Sequence, residues 1–250
     1  MTAARLQDYA AHYDDDYGYE SRLVAARREV TLERLRALRP ARVVEVGCGR
    51  DPLLPYARAK GVLARWVIVE PTDAFARVAS RTLDDRSALL RGCLQDMVLR
   101  VIDALGGAAD LVVMDSLLHE LPDPAEILDA ARRCLAPQGW IHVNVPNANS
   151  LHRRLARSMG LIDDVKAMSA RNVALSQSRV YDLDALLDAL RDAGFAPVAT
   201  GGHTVKPFTH AQMERVTEAL GTGVLEGLAA LGQEMPELAA EIHADARRVD

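Results

Sequence analysis

The sequence predicts an α/β domain with a doubly wound, mostly parallel sheet of seven strands, the last one antiparallel. Three observations carry this expectation. Five short, β-branched apolar runs alternate with helical patterns across residues 42–146. Those runs are near-continuous in apolar character, as in strands covered on both faces. Beyond residue 195 the alternation gives way to two strand-like segments flanking a helical stretch.

Taken in order, residues 20–38 form an amphipathic helix, with Leu23, Val24, Leu32, Leu35 and Leu38 at helical spacing and Pro40 closing it. The first strand is "ARVVEVG". The next are "ARWVIVEP" (64–71), a weak "ALLRG" (88–92), "ADLVVMDS" (109–116) and "GWIHVNVP" (139–146). Between them, Asp51 reads as an N-cap with Pro52 in the first helical turn. Asp123 and Pro124 give the same signature before "ILDAARRCL". Asp182 starts a helix with one apolar face of leucines, and Gly194 stops it. Residues 195–207 return to strand, Thr209 and Gln212 make a capping box, and residues 238–249 close as a strand antiparallel to the rest. The 250 residues are expected as one domain, with 1–40 as an N-terminal helical cap. Residues 147–181 and 208–236, outside the alternation, are expected as helical insertions that form a substrate lid.

Composition narrows the function. A net charge of −5 offers no global attraction to nucleic acid or anionic membranes. No basic patch with interleaved aromatics occurs, and "LHRRLARS" (151–158) reads as a solvated basic face. Three scattered cysteines make neither a disulfide framework nor a zinc site, and neither a leader nor a membrane-spanning run is seen, so a cytoplasmic protein is expected.

Function concentrates in "VVEVGCGRDPLL" (43–54), where a strand runs into Gly47 and Gly49. A dinucleotide fingerprint needs a third small residue at Pro52, and Asp51 would set a carboxylate against a pyrophosphate. The oxidoreductase reading with NAD is therefore disfavoured against a nucleoside lacking that pyrophosphate. Glu70, at the end of the second strand, is placed to accept both ribose hydroxyls, and Asp96 to accept an adenine amine.

Together "EVGCG" (45–49), "VIVEP" (67–71), "LQDM" (94–97), "DLVVMDSLLHEL" (110–121) and "RCLAPQGWIHVNVPN" (133–147) resemble the class I S-adenosylmethionine-dependent methyltransferases, in order and spacing. The resemblance implies that Glu45, Gly47, Cys48 and Gly49 line the methionine part of S-adenosylmethionine. It further implies Glu70 on the ribose, Pro71 beside the adenine, Asp96 and Met97 on the base, and Asp115 with Ser116 near the sulfonium. Tyr13, Tyr17 and Arg22 are expected to cover the cofactor or pair with its carboxylate. Asp51 stands where many members of the family have a third glycine.

His119, in "DSLLHEL" beyond the fourth strand, is the candidate general base, because imidazole titrates near working pH. The other histidines show no metal spacing, and no metal is expected. Asp115-Ser116-Leu117-Leu118 lacks the Pro-Pro-aromatic sequence of amino methylases of nucleic acids and glutamine. The expected acceptor is therefore a hydroxyl or amine of a small molecule, a natural product or sugar. Asn144, Asn147, Arg153 and Tyr181 are the expected acceptor contacts. Expected partners are that small molecule, without nucleic acid or membrane, and in a homodimer a second copy of the chain. A non-catalytic relative that binds the cofactor or a partner protein is the alternative, kept open by Asp51.

Overall fold

The computed structural model describes residues 17–175 and 177–250, without the side chains of residues 17, 170 and 174. A helix α1 (Tyr17–Leu38) precedes β1 (Arg42–Val46), α2 (Leu54–Ala59), β2 (Arg65–Glu70), α3 (Asp73–Ser80) and β3 (Ser87–Arg91). Then follow α4 (Val98–Leu105), β4 (Ala109–Asp115), α5 (Ala125–Cys134), β5 (Leu135–Pro146), α6 (Leu151–Ser158) and α7 (Ala170–Ala174). The chain ends with α8 (Leu183–Asp192), β6 (Phe195–Val205), α9 (His210–Leu220), α10 (Gly223–Glu234) and β7 (Ala239–Arg248). The strands form one seven-stranded sheet in the order β3-β2-β1-β4-β5-β7-β6. β7 pairs antiparallel with both neighbours, and the remaining pairings are parallel. The expected sheet and its antiparallel last strand are therefore present.

Period-two alternation sends each strand's side chains to both faces. Val44, Val46, Val67, Val69, Val112 and Met114 pack on one side, in a core with residues of α4, α5 and α8. Val43, Trp66, Ile68, Leu111 and Val113 point the other way, against Leu32 and Leu35 of α1, Leu54 of α2 and Phe75 of α3. Helix α1 is thus a structural layer of the sheet. Burial of each large apolar side chain contributes roughly 1.5–3 kcal/mol.

On that second side, the β5-β7-β6 half of the sheet is polar. Register puts His142 opposite Asp245 and Asn144 opposite His243, while His203 faces Glu241. Helix α1 answers with charge. Arg27 binds Glu241 at 2.7 and 2.5 Å, and Arg34 reaches Asp245 at 2.7 Å. His142 Nδ1 lies 2.8 Å from Asp245, and Thr31 Oγ1 donates to Asp115 at 2.9 Å. Burial would raise the Glu241 carboxyl, yet the charge and hydrogen bonds of Arg27, with His203, hold it well below the ordinary glutamate range.

Two local expectations are corrected. Helix α2 starts at Leu54 after an N-cap at Leu53, so Pro52 lies outside it and Asp51 caps nothing. The Asp51 carboxylate instead pairs with Arg28 and accepts from the Tyr56 hydroxyl, an attraction across the cleft that outweighs the local cap. Pro124 occupies the N-cap position of α5, and Asp123 accepts from the Ala125 amide at 2.9 Å. The Thr209–Gln212 capping box and the Asp182 cap form as expected. β5 also starts earlier than the sequence indicated, at Leu135.

Candidate functional site

Between β1 and β4 the strand order reverses, and open α/β sheets hold ligands at the carboxyl edge of such a point. Two cavities open there side by side. The first encloses about 1000 Å³ of space including its open mouth. Its walls are the turn after β1, Glu70, Pro71 and Thr72 after β2, Asp115 and Ser116 after β4, and the inner face of α1.

The turn needs its glycines. Gly47 (φ 71°) and Gly49 (φ 58°) sit in the left-handed region, where a side chain costs roughly 1–2 kcal/mol. Gly47 N–H bonds the Val69 carbonyl at 2.9 Å, tying the turn to the end of β2. Below it Glu45 is buried, accepting from the Leu53 amide at 2.7 Å and Trp66 Nε1 at 2.9 Å. Burial, moderated by those two bonds, raises its pKa to about 7. Glu45 thus braces the turn from beneath while reaching the cleft wall.

Glu70 is 2% exposed, and one carboxylate oxygen accepts from the Thr72 amide at 2.8 Å. The other accepts from the Gly49 amide at 3.3 Å and Cys48 Sγ at 3.6 Å. Burial raises its pKa, against the pull of these donors. At the floor, Asp115 Oδ1 is buried without a hydrogen-bond partner among the described residues. Ser116 holds a left-handed φ of 55°, strain of a kind that concentrates at functional sites. At the lip, Asp51 is compensated by Arg28, whose guanidinium also stacks 3.5 Å over the Tyr56 ring. The residue in the third-glycine position therefore presents no net negative charge to a ligand.

The second cavity, about 860 Å³ including its open mouth, adjoins the first, and Ser116 and Glu120 border both. His119, Asn147 and Arg153 line it, with His152, Arg171, Arg179, Lys206 and His210. His119 is 3% exposed, and burial lowers its pKa to about 3. Arg153 bonds the Val165 carbonyl at 2.6 Å and that of Ala167. Asn147 donates to the Glu237 and Ala239 carbonyls and accepts from the Asn149 amide.

Of the residues expected at the site, Glu45, Gly47, Cys48, Gly49, Glu70, Pro71, Asp115 and Ser116 line the first cavity, and His119, Asn147 and Arg153 the second. Others do not line either cavity. Arg22 is exposed, because the inward face of α1 carries Arg27 and Arg28 instead. Asp96 and Met97 follow β3, one strand farther out. Asp96 is exposed, and Met97 packs against the apolar core. Asn144 is buried in the polar layer, 3.2 Å from His203 Nε2. Tyr181 is buried in the core beneath α8 rather than in a cavity. Tyr13 and the Tyr17 side chain lie outside the described residues. Sequence reasoning missed Arg27 and Arg28, Thr72, Phe75, His152, Arg171, Lys206 and His210. The stretch 151–158 is not simply a solvated face, because His152 and Arg153 turn inward.

A seven-stranded sheet in this order, with a glycine turn, an acidic strand end and a cleft at the switch point, defines the class I methyltransferase fold. The family model described as "Methyltransferase domain" matches residues 19–200, and the chain belongs to that family. The trans-aconitate 2-methyltransferase of Mycobacterium tuberculosis is 27% identical over 166 residues, 64% of this chain. The match spans 58% of that relative's length. The plantazolicin methyltransferase BamL, solved with a triazolic desmethylPZN analog and S-adenosylhomocysteine, superposes with a TM-score of 0.64 at 12% identity, over 99% of this chain and 97% of that one. The 1,6-didemethyltoxoflavin-N1-methyltransferase of Burkholderia thailandensis gives 0.56 at 18% identity, over 96% and 88%. Likeness at that identity establishes the fold alone. S-adenosylmethionine is the cofactor of the family, and among the described residues no helix is long and apolar enough to cross a membrane.

Proposed function

We propose that this chain transfers the methyl group of S-adenosylmethionine to a small molecule seated in the second cavity. The observation that carries the reading is the meeting of the two cavities at Ser116, where a donor in one would face an acceptor in the other. The first cleft suits the cofactor: left-handed glycines permit close backbone approach, a buried carboxylate ends β2, and Asp115 Oδ1 lacks a hydrogen-bond partner among the described residues. The bound sulfonium supplies an already activated methyl group.

In this reading Glu70 turns from the turn amides to the ribose hydroxyls. Gly47, Cys48 and Gly49 line the methionine part, with Glu45 bracing them from below. Pro71, Thr72 and Phe75 border the adenine end, and Asp115 and Ser116 lie near the sulfonium. Holding the acceptor in line with the methyl–sulfur bond supplies most of the catalysis. Segment 147–181 and the start of α9 serve as the lid over the acceptor. The relatives' names, with their small acceptors, favour a small molecule here too. His119 borders the acceptor as a neutral imidazole. With its pKa near 3 it suits a hydrogen-bond contact better than the general-base role its position suggested. Pairing of Asp51 with Arg28 removes the feature that favoured a non-catalytic relative.

Titration calorimetry with S-adenosylmethionine, S-adenosylhomocysteine and NAD tests the reading. Micromolar binding of the two sulfur nucleosides is expected; binding of NAD alone would overturn it.

A further inference from the structure

We infer that the acceptor is a small carboxylic acid, bound in the second cavity as its anion and methylated on a carboxylate oxygen. This rests on the first cleft being the cofactor site. Four cationic side chains, Arg153, Arg171, Arg179 and Lys206, come to this cavity from α6, α7, the segment before α8, and the position just after β6. The acids that share it are mostly engaged elsewhere. Glu241 is held by both Arg27 contacts and by His203 at 3.1 Å, and Glu20 bridges Arg27 and Arg171 at 3.3 Å each. Glu120 stands at the wall shared with the cofactor cleft. Arg153 is oriented by main-chain carbonyls, which fix its guanidinium without cancelling its charge.

Donors without partners point the same way. The Nδ1 atoms of His119 and His152 are buried and lack a hydrogen-bond partner among the described residues, and both side chains border the cavity. Such orphaned polar atoms are costly unless a ligand meets them. Burial, reinforced by Lys206 and Arg153, keeps His152 neutral with a pKa of about 3. An imidazole with its proton on Nδ1 offers an N–H to an anion. Arginine matches a carboxylate with two parallel hydrogen bonds.

The same choice removes the need for a base. A carboxylate oxygen arrives deprotonated with a lone pair to give. Its attack forms the O–CH₃ bond as the S–CH₃ bond breaks, and that bond's electron pair returns to sulfur. The acid becomes a neutral methyl ester, the sulfonium a neutral thioether, and no proton moves. A hydroxyl acceptor would instead need a stronger base than His119.

The test loads the intact protein with S-adenosylhomocysteine and titrates it with short mono-, di- and tricarboxylic acids and with their methyl esters. At least one acid should bind and its fully esterified form should not. Arg153→Met should weaken that acid by roughly tenfold or more, and Arg153→Lys, which keeps the charge but loses the two-pronged geometry, should restore only part of that loss. S-adenosylhomocysteine binding should be unchanged in both variants. With S-adenosylmethionine, the product should be a methyl ester cleaved by mild base. Failure of every acid on the loaded protein, equal binding of acids and esters, or a product methylated on nitrogen or a hydroxyl would overturn the inference. Loss of nucleoside binding in the unaltered protein would instead refute the reading of the first cleft.

Discussion

Replacing Arg27 by methionine isolates the buried charge that fastens α1 to the sheet. The Arg27 and Glu241 side chains are 8% and 4% exposed, joined by bonds of 2.7 and 2.5 Å. Removing one partner leaves a buried carboxylate with His203 as its remaining hydrogen-bond partner among the described residues, which costs about 3–5 kcal/mol at neutral pH. For a domain of this size that lowers Tm by roughly 6–20 °C. The sign of the pH dependence follows from Glu241. In the unaltered protein its folded pKa is depressed, so its stabilisation is complete above the ordinary glutamate value and fades as pH falls toward the folded one. In Arg27→Met burial dominates and the pKa rises, so the variant takes up a proton on folding. The difference between the two proteins should therefore shrink from pH 7 to pH 5, measured by thermal and urea melts. Adding Glu241→Gln to Arg27→Met should recover more than half of the loss. A drop of under 2 °C, or one equal at both pH values, would refute the reasoning.

Other outcomes are equally concrete. Glu70→Ala should weaken S-adenosylhomocysteine by about 1.5–3 kcal/mol in calorimetry, and an unchanged Kd would remove it from the ribose. Gly47→Ala forces a side chain to φ 71° and should cost about 1–2 kcal/mol of stability along with nucleoside affinity. A melt indistinguishable from the parent would show that the turn relaxes freely. Burial lowers the pKa of His119, His152 and His243 to about 3 and of His210 to about 2. Each of these contributes stability above the unfolded histidine value, about 6.5, and loses about 1.4 kcal/mol per pH unit below it. Melting temperatures should thus fall steeply from pH 6.5 to 4.5, and a flat profile would show that these rings are solvated.

The strands were legible because burial on both faces writes itself as an apolar run, as in "WVIVE" and "LVVMD". The glycine turn and Glu70 were legible because the backbone there needs left-handed residues followed by an acid at a strand end. Asp51 was misread because a local cap pattern competes with Arg28, far along the chain, and no local rule encodes that pair. Arg22 was preferred to Arg27 and Arg28 because inward charges on a helix look like its wet side until their partner Glu241, 214 residues away from Arg27, is in place. The basic cavity was invisible for the same reason: His152, Arg171, Lys206 and His210 are ordinary singly and converge only through the packing of α6, α7 and α9. Tyr181 had the chemistry of a contact residue, yet its place beneath α8 makes it core.

Helix α1 touches everything that matters. Glu20 and Leu23 reach the second cavity, Val24, Arg27 and Arg28 the first, and Thr31 and Arg34 the ionic layer behind Asp115. A helix of 22 residues transmits tilt and roll as a stiff rod, so it works like a beam resting on three supports. Loading one support shifts the weight on the others. Any coupling between the two cavities that runs through this helix acts with equal strength in both directions.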